Sequence, residues 1–470
     1  MKYNPHDYQK KAIKFAIERS RCALWLDPGL GKTSIVYAVA KILQKRKMVR
    51  AALVVAPLNV VHNTWPRERS KWDDFHHFTL KVLHGPKKLQ RLKEPADIYL
   101  INYEGLEWLA KSLNQLGMVG KKMPFDLFVF DEASKVKNHT SKRFKLLKPW
   151  SHGWKRIIEL TGTPATNGLE DVWSQLYLLD QGVALGRYWT HFVDTFFNRV
   201  GYGGYTLVPK RGSADIIYRA VAPLVMRMSA EDYLELPELS FNNILIELTD
   251  ELKDRYKTIQ DDLVVLLNSG DFRLPSAAAA TNKCLQFANG AVYHTDGKTW
   301  EEIHTLKLEA LDDLIEELGG KPAMIAYNYR HDIERLLEIY SKKPRYRVGH
   351  IGAGMAGKIA NIAVDKWNKG EYDLLFVQPQ SVSHGLNMQE GPASNLIFFS
   401  MLWDLEQYMQ LIKRLWRQGQ EQRVMVHHLL VRGTVDMAAK AALNFKDKQQ
   451  LRLLDAIKRL NQGETLETEI

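Results

Sequence analysis

The chain has 470 residues, 45% of them hydrophobic, which is enough for two or three cores of ordinary domain size. Its 65 Lys and Arg against 54 Asp and Glu leave a net charge of +11, a balance that suits a polyanionic partner without requiring one. Two cysteines, Cys22 and Cys284, exclude a disulfide framework or a cysteine zinc site, and no stretch approaches the ~18 apolar residues of a membrane span or the apolar core of a signal peptide. The expected setting is soluble, reducing and cytoplasmic.

In chain order, the first informative element is the apolar run Cys22 to Leu26, read as a buried strand. It runs into Asp27-Pro28-Gly29-Leu30-Gly31-Lys32-Thr33, and a helical periodicity follows from Ser34 to Leu43. A strand, a glycine turn and a helix form a phosphate cradle. Gly29 and Gly31 let backbone N–H groups approach the anion, Lys32 reaches the β and γ oxygens, and Thr33 offers a hydroxyl to Mg²⁺. The strict spacing G-x-x-x-x-G-K-[ST] would place glycine at position 26, where this chain has Leu26.

Further strands are expected at Ala52 to Ala56, Ile98 to Asn102, Leu127 to Asp131 and Arg156 to Thr161, alternating with amphipathic helices as a parallel sheet requires. The run Phe125 to Phe130 ends in adjacent carboxylates. There Asp131 is placed to hold the Mg²⁺ shell with Thr33, and Glu132 to orient and deprotonate an attacking water. Lys135 to Lys148 carries six basic side chains and no acid, suited to a nucleic-acid face or a solvated helix. From Leu169 to about His304 the strand alternation stops and the sequence reads as mostly helical, with Gly201 to Gly204 marking a hairpin or loop. Strands resume near Ala323 to Tyr327, Tyr346 to Ile351, Leu374 to Gln378, Asn395 to Phe399 and Arg423 to Leu430. Before the last of these, Gln410, Arg414 and Arg417 fall at i, i+4 and i+7, one face of a helix aimed together.

In this order the motifs resemble helicase superfamily 2, and within it the Snf2-like double-stranded DNA translocases. Tyr8-Gln9 is similar to the glutamine motif that reads adenine. Val54 to Leu58, followed by Trp65, Glu68 and Trp72, resembles the Snf2 strand, Pro-Leu turn and Trp-bearing helix. Ile101 to Glu104 stands where the family has a Thr/Ser-Tyr-Glu turn. Asp131 to Ser134, with Lys137-Asn138, resembles Asp-Glu-Ala-His with serine in place of histidine. Leu160-Thr161-Gly162-Thr163-Pro164, with Asn167, Leu169 and Trp173, is the closest match. Ala323 to Asn328 and Ser383-His384-Gly385-Leu386-Asn387 are similar to the fourth and fifth motifs, the latter poorer in glycine and threonine than usual. Arg414 and Arg417, ending in Gly419-Gln420, resemble the sixth. Pro223 to Arg227 and Leu234 to Pro237 resemble the segment before the chain crosses between lobes, closest to the branch that includes annealing helicases.

The resemblance implies an α/β fold of two RecA-like parallel-sheet lobes with helical Snf2-type protrusions. Residues 1–240 would be the first lobe, with a protrusion from about 165, residues 241–304 a helical linker, 305–435 the second lobe and 436–470 a C-terminal helical segment. It also implies site roles. ATP would be bound by Gln9, by Asp27, Pro28, Gly29, Leu30, Gly31, Lys32 and Thr33, and by Gly385. Lys32, Asp131, Glu132, Arg414 and Arg417 would be catalytic, with Thr33 and Asp131 on Mg²⁺. Thr161, Gly162 and Thr163 would couple hydrolysis to the nucleic-acid face, and Asn59, Asn102, Tyr103, Asn328 and Ser383 would contact DNA. The implied activity is ATP-dependent translocation by a monomeric motor on duplex DNA, through sequence-independent backbone contacts and without a membrane. Motors this short suggest a prokaryotic or phage setting. A strand-separating or annealing helicase, a DNA-binding adaptor with a dead ATP site (Leu26 and Ser134 being the departures) and the motor subunit of a repair or restriction complex are the alternatives.

Overall fold

The computed structural model describes residues 1–118, 122–200, 206–268, 274–355, 357–382 and 388–464. The chain divides into two compact units, Met1–Leu234 with Lys446–Ile470, and Glu235–Phe445.

The first unit contains β1 (Arg21–Leu26), β2 (Ala52–Ala56), β3 (Leu80–Val82), β4 (Ile98–Asn102), β5 (Leu127–Asp131), β6 (Arg156–Thr161), a hairpin of β7 (Phe197–Val200) and β8 (Thr206–Pro209), and β9 (Val225–Met228). Apart from the hairpin these pair in the order β3-β4-β2-β5-β6-β1-β9, parallel throughout. Side chains alternate between two cores. Along β1, Cys22, Leu24 and Leu26 join Ile35, Val39 and Val54 on one face, while Ala23 and Trp25 join Phe128 and Phe130 on the other. Because helices cover both faces, the central strands are unbroken apolar runs rather than half-polar ones. A charge at Leu24 or Val54 would find no water on either side, and would disrupt the strands that carry the glycine loop. The expected Gly201 to Gly204 turn lies outside the described residues, but β7 and β8 on either side of it pair antiparallel.

The second unit contains β10 (Leu239–Ile246), a small hairpin of β11 (Ala291–Tyr293) and β12 (Trp300–Glu302), and β13 (Ala323–Ala326), β14 (Val348–Ile351), β15 (Leu374–Val377), β16 (Asn395–Phe398) and β17 (Val424–Val431). Its sheet runs β10-β17-β16-β13-β15-β14, again all parallel. The two sheets, layered with helices, make an α/β protein of two RecA-like units.

One expectation needs correction. The stretch from 241 was read as helical, yet β10 pairs with β17 over eight residues, from Leu239 with Val424 to Ile246 with Val431. It is an edge strand, half exposed, and Ser240, Asn242 and Asn243 break up the apolar pattern that marks buried strands. Helices Asp250–Asn268 and Leu274–Ala288 occupy the middle of the stretch as expected. The last helix, Val435–Asn461, begins in the second unit and ends in the first. Among the described residues no helix is long and apolar enough to cross a membrane.

Candidate nucleotide site at the head of the first sheet

The glycine loop turns between β1 and the helix Lys32–Lys45. Gly29 and Gly31 adopt φ of 95° and 76°, a left-handed region costly for residues with a Cβ. Space is a second reason for glycine at 31, since a Cβ there would lie 2.4 Å from Gln9 Nε2 and 2.9 Å from Ser34 Oγ. Gln9 is held against the loop. Its Nε2 donates to the Leu30 carbonyl at 3.2 Å and its Oε1 accepts from the His6 N–H at 3.0 Å. Leu30 itself points into the core. Lys32 Nζ donates to the Leu26 carbonyl at 2.9 Å, so the residue standing where the strict motif has glycine is a buried strand end whose backbone docks the lysine.

Asp27 is tied down from a distance. Its Oδ2 accepts from Arg227 Nη2 at 3.0 Å and from the Ala230 N–H at 3.0 Å, and Arg227 Nη1 also donates to the carbonyls of Trp25 and Met228. The carboxylate therefore braces the start of the loop. Tyr8 stacks on Tyr233 at 4.8 Å and on His6 at 5.5 Å, which leaves an aromatic surface beside the residue that holds the loop.

β5 delivers Asp131 and Glu132 to the same edge of the sheet, because all seven strands run parallel. Asp131 is buried, and its Oδ2 accepts from Trp65 Nε1 at 2.9 Å. Burial, then the charge of Glu132, pushes the Asp131 carboxyl up to about 6, against the opposing effects of Trp65 and Lys32. Glu132 occupies φ 61° and ψ 59°, an uncommon conformation for a residue that is neither Gly nor Asn. Tyr103 secures this turn by donating its hydroxyl to the carbonyls of Asp131 at 3.0 Å and Glu132 at 3.2 Å. Burial and the nearby charges of Asp131, Glu132 and Glu159 hold the phenol well above its ordinary pKa, so it remains a donor.

These residues suit a magnesium nucleotide. The loop is a cradle that a Cβ at 31 would fill, and Thr33 and Asp131 are hard oxygen donors. Among the described residues no cluster of three His, Cys, Asp or Glu could hold a metal on its own.

Between the loop and the acid pair, β6 ends in Thr161-Gly162-Thr163. Thr161 Oγ1 accepts from the Thr163 N–H at 3.1 Å. A Cβ on Gly162 would lie 3.1 Å from Pro28 and 3.2 Å from the Leu26 carbonyl, so this turn abuts the glycine loop directly. It is anchored from behind by Gln175, whose Nε2 donates to the Pro164 carbonyl at 2.7 Å, and by Asp171, which accepts from the Asn167 N–H at 2.8 Å. Lys137 pairs with Asp171 at 3.9 Å and also donates to Thr166.

The residues expected on DNA are placed unequally. Asn59 is partly exposed and accepts from Asn63. Asn102 is buried and donates to Glu104, itself paired with Arg143. Tyr103 is only 3% exposed, so it acts on the turn it holds rather than offering a surface. In the second unit the Asn328 N–H donates to Asp332 and Ser400. Ser383 and Gly385 lie outside the described residues. Arg414 is on the helix Leu405–Leu415, but Arg417 lies beyond its end, so the expected single helical face of Gln410, Arg414 and Arg417 is incorrect. The chain leaves the helix at Trp416, whose Nε1 donates to the Pro237 carbonyl, and turns at Gly419 with φ 95°. The Arg417 pKa is lowered by burial, with Glu390 opposing.

Sequence reasoning assigned no role to Arg227, Trp65, Asp171 or Gln175. Trp65 and Arg227 stand within matched segments, but spacing alone does not reveal the atoms they reach.

A family model of the SNF2-related domain matches residues 8–294, and one of the helicase conserved C-terminal domain matches residues 306–419. Protein p41 of Acyrthosiphon pisum secondary endosymbiont phage 1 is 32% identical over 477 aligned positions, 97% of this chain and 99% of that protein. The CHD3-type chromatin-remodeling factor PICKLE of Arabidopsis thaliana is 22% identical over 92% of this chain, which spans only 33% of PICKLE. The Sulfolobus solfataricus SWI2/SNF2 ATPase core, solved in complex with dsDNA, aligns with 100% of this chain and 96% of that one at 23% identity and a TM-score of 0.46.

Proposed function

We propose a function from the premise that this chain belongs to the SNF2-related family of helicase-like ATPases: it is a DNA-dependent ATPase that moves along double-stranded DNA. The observation that carries the ATPase reading is the convergence of three strand ends. β1, β6 and β5 bring the glycine loop with Lys32, the Thr161-Gly162-Thr163 turn and the Asp131-Glu132 pair to one edge, with Gly162 against the loop and Lys32 close enough to lower the Asp131 pKa.

Phosphoryl transfer is mostly a matter of positioning and charge stabilisation. The loop N–H groups and Lys32 hold the phosphates, and Gln9 with the Tyr8 and Tyr233 rings lies toward the adenine. Thr33 and Asp131 hold Mg²⁺, which when bound neutralises charge on the phosphate oxygens. Glu132 orients the attacking water and accepts its proton. Arg414 and Arg417 would stabilise charge on the transferring phosphoryl group with planar, permanently charged guanidinium groups. Gly162, packed on the loop, passes the state of the phosphates to Thr161 and Thr163. Asn59, Asn102 and Asn328 serve the DNA face, and Tyr103 couples that face to the acidic turn it holds.

Grips on phosphates read few base edges, so binding is independent of sequence and weakens as salt rises. The phage origin of p41 supports a cytoplasmic setting in an infected host, with the chain acting as a monomeric motor. The test is ATP hydrolysis on duplex, forked and single-stranded DNA and on RNA, paired with displacement of a triplex-forming strand. Duplex-stimulated turnover with triplex displacement is expected. Stimulation by RNA alone would overturn the proposal, and release of a labelled strand from a duplex would make the chain a strand-separating helicase instead.

A further inference from the structure

β9 is the outermost strand of the first sheet, and its two edges are used differently. The inner edge pairs with β1, and the Met228 carbonyl accepts from the Asp27 N–H at 3.3 Å. On the outer edge, where a sheet normally leaves unpaired groups, stands Asn461, the last residue of the C-terminal helix. Its Nδ2 donates to the Val225 carbonyl at 3.0 Å and to the Ala222 carbonyl at 3.3 Å, and its Oδ1 accepts from the Arg227 N–H at 3.0 Å. The Val225 carbonyl and Arg227 N–H are the pair that a parallel strand would engage around Met226. One side-chain amide thus takes the place of an eighth strand. The helix is fixed there by Lys458, paired with Asp232 at 2.7 Å, and by Leu453, Leu454 and Ile457 in the core.

Arg227, whose N–H is held by Asn461, carries the guanidinium that braces Asp27 at the head of the glycine loop. We infer that Asn461 is a positioning residue of the nucleotide site, acting through β9 and Arg227 on Asp27 to set the loop that receives the phosphates. This rests on the ATPase reading above. In that role Asn461 touches no nucleotide. It fixes the register of β9 and thereby the point from which Arg227 reaches Asp27. The last turn of the C-terminal helix then supports the nucleotide site from a distance rather than trailing behind it.

The test compares Asn461→Ala and Asn461→Asp with the unsubstituted full-length chain. Binding of a fluorescent ADP analogue with Mg²⁺ is measured alongside hydrogen exchange at the amides of 27–31. Asn461→Asp keeps the acceptor for the Arg227 N–H but loses the donor to Val225, so it separates the two halves of the contact. Coupling through a packed network predicts nucleotide affinity weakened roughly two- to ten-fold in Asn461→Ala, and less in Asn461→Asp. Loop exchange should be faster, and kcat at saturating ATP close to unchanged. A Tm that falls while affinity and loop exchange stay as in the unsubstituted chain would make Asn461 a mere edge cap and overturn the inference. Failure of the unsubstituted chain to bind nucleotide at all would instead sink the ATPase reading.

Discussion

At the head of the first sheet Glu132 sits in the left-handed region, and Glu159 on β6 is fully buried with neither carboxyl oxygen hydrogen-bonded among the described residues. At the head of the second sheet the polar groups are instead densely paired. Lys307 and Asp436, both fully buried, meet at 2.7 Å. Lys307 also donates to Asn289 Oδ1 at 2.9 Å and to the Phe399 carbonyl at 3.0 Å. Asn289 passes hydrogen bonds on to Asp332 and Ser400, and Arg335 donates to the Asn289 and His304 carbonyls. Burial would raise the Asp332 pKa, yet bonds from His331, Ser400 and the Tyr329 N–H hold it below the ordinary carboxylate range. The network is connected rather than fully satisfied, since Asp436 Oδ1 and both ring nitrogens of His304 find no hydrogen-bond partner among the described residues. Strained backbone and orphaned carboxyls cost stability and persist where function requires them. The left-handed Glu132 singles out the first sheet's head for the chemistry proposed above and leaves the Lys307–Asp436 network as scaffold.

The largest expected effect is on the strained side. Glu132→Gln should lower ATP turnover by about 10²- to 10⁴-fold, the usual worth of a general base, while leaving nucleotide binding intact. Steady-state ATPase and binding titrations check both halves. On the scaffold side, Lys307→Met leaves Asp436 buried without its partner and should cost about 3–5 kcal/mol in urea unfolding. Converting both residues to apolar ones should recover most of that loss, and a double variant no better than the single one would mean the pair is not coupled.

Glu159→Leu should have the opposite sign, raising stability by about 1–3 kcal/mol because it removes an unsatisfied buried group. Burial, with Asp180 adding to it, holds the Glu159 pKa well above the usual carboxylate range. A raised carboxyl stabilises the fold below its unfolded pKa, and that contribution is lost as pH rises through the folded value. The gain from leucine should therefore widen as pH rises in thermal melts.

The smallest effect concerns Asp131, held near 6. Mg²⁺ needs the ionised form, so nucleotide affinity in Mg²⁺ should rise with pH through that value. Trp65→Phe removes the hydrogen bond favouring ionisation and should move the inflection upward by a fraction of a unit to about one unit. A downward shift would mean that Trp65 does not favour the charged form.

Much of this architecture was legible because buried parallel strands are continuous apolar runs. β1, β2, β4, β5 and β6 lie where those runs predict them, and β1, β5 and β6 end at the glycine turn, the acid pair and the Thr-Gly-Thr turn. The edge strands β9 and β10 were not legible, although the edge strand β14 was expected at Tyr346 to Ile351. β10 is half exposed and diluted with Ser240, Asn242 and Asn243, and β9 is only four residues long. Long-range polar contacts left no periodic trace either. Arg227 reaches Asp27 across 200 positions and Asn461 reaches Arg227 across 234, and neither pair has a spacing to recognise. Arg417 kept helical spacing in the sequence although the helix stops at Leu415, because an i+7 count cannot register where a helix ends.

We propose that Arg417 is a catalytic residue of ATP hydrolysis, and single-turnover hydrolysis by Arg417→Ala on duplex DNA tests this most directly. The account predicts a loss of roughly 10³-fold or more, the worth of an arginine supplied to a phosphoryl transition state, with nucleotide affinity little changed. Hydrolysis at the unsubstituted rate would contradict it.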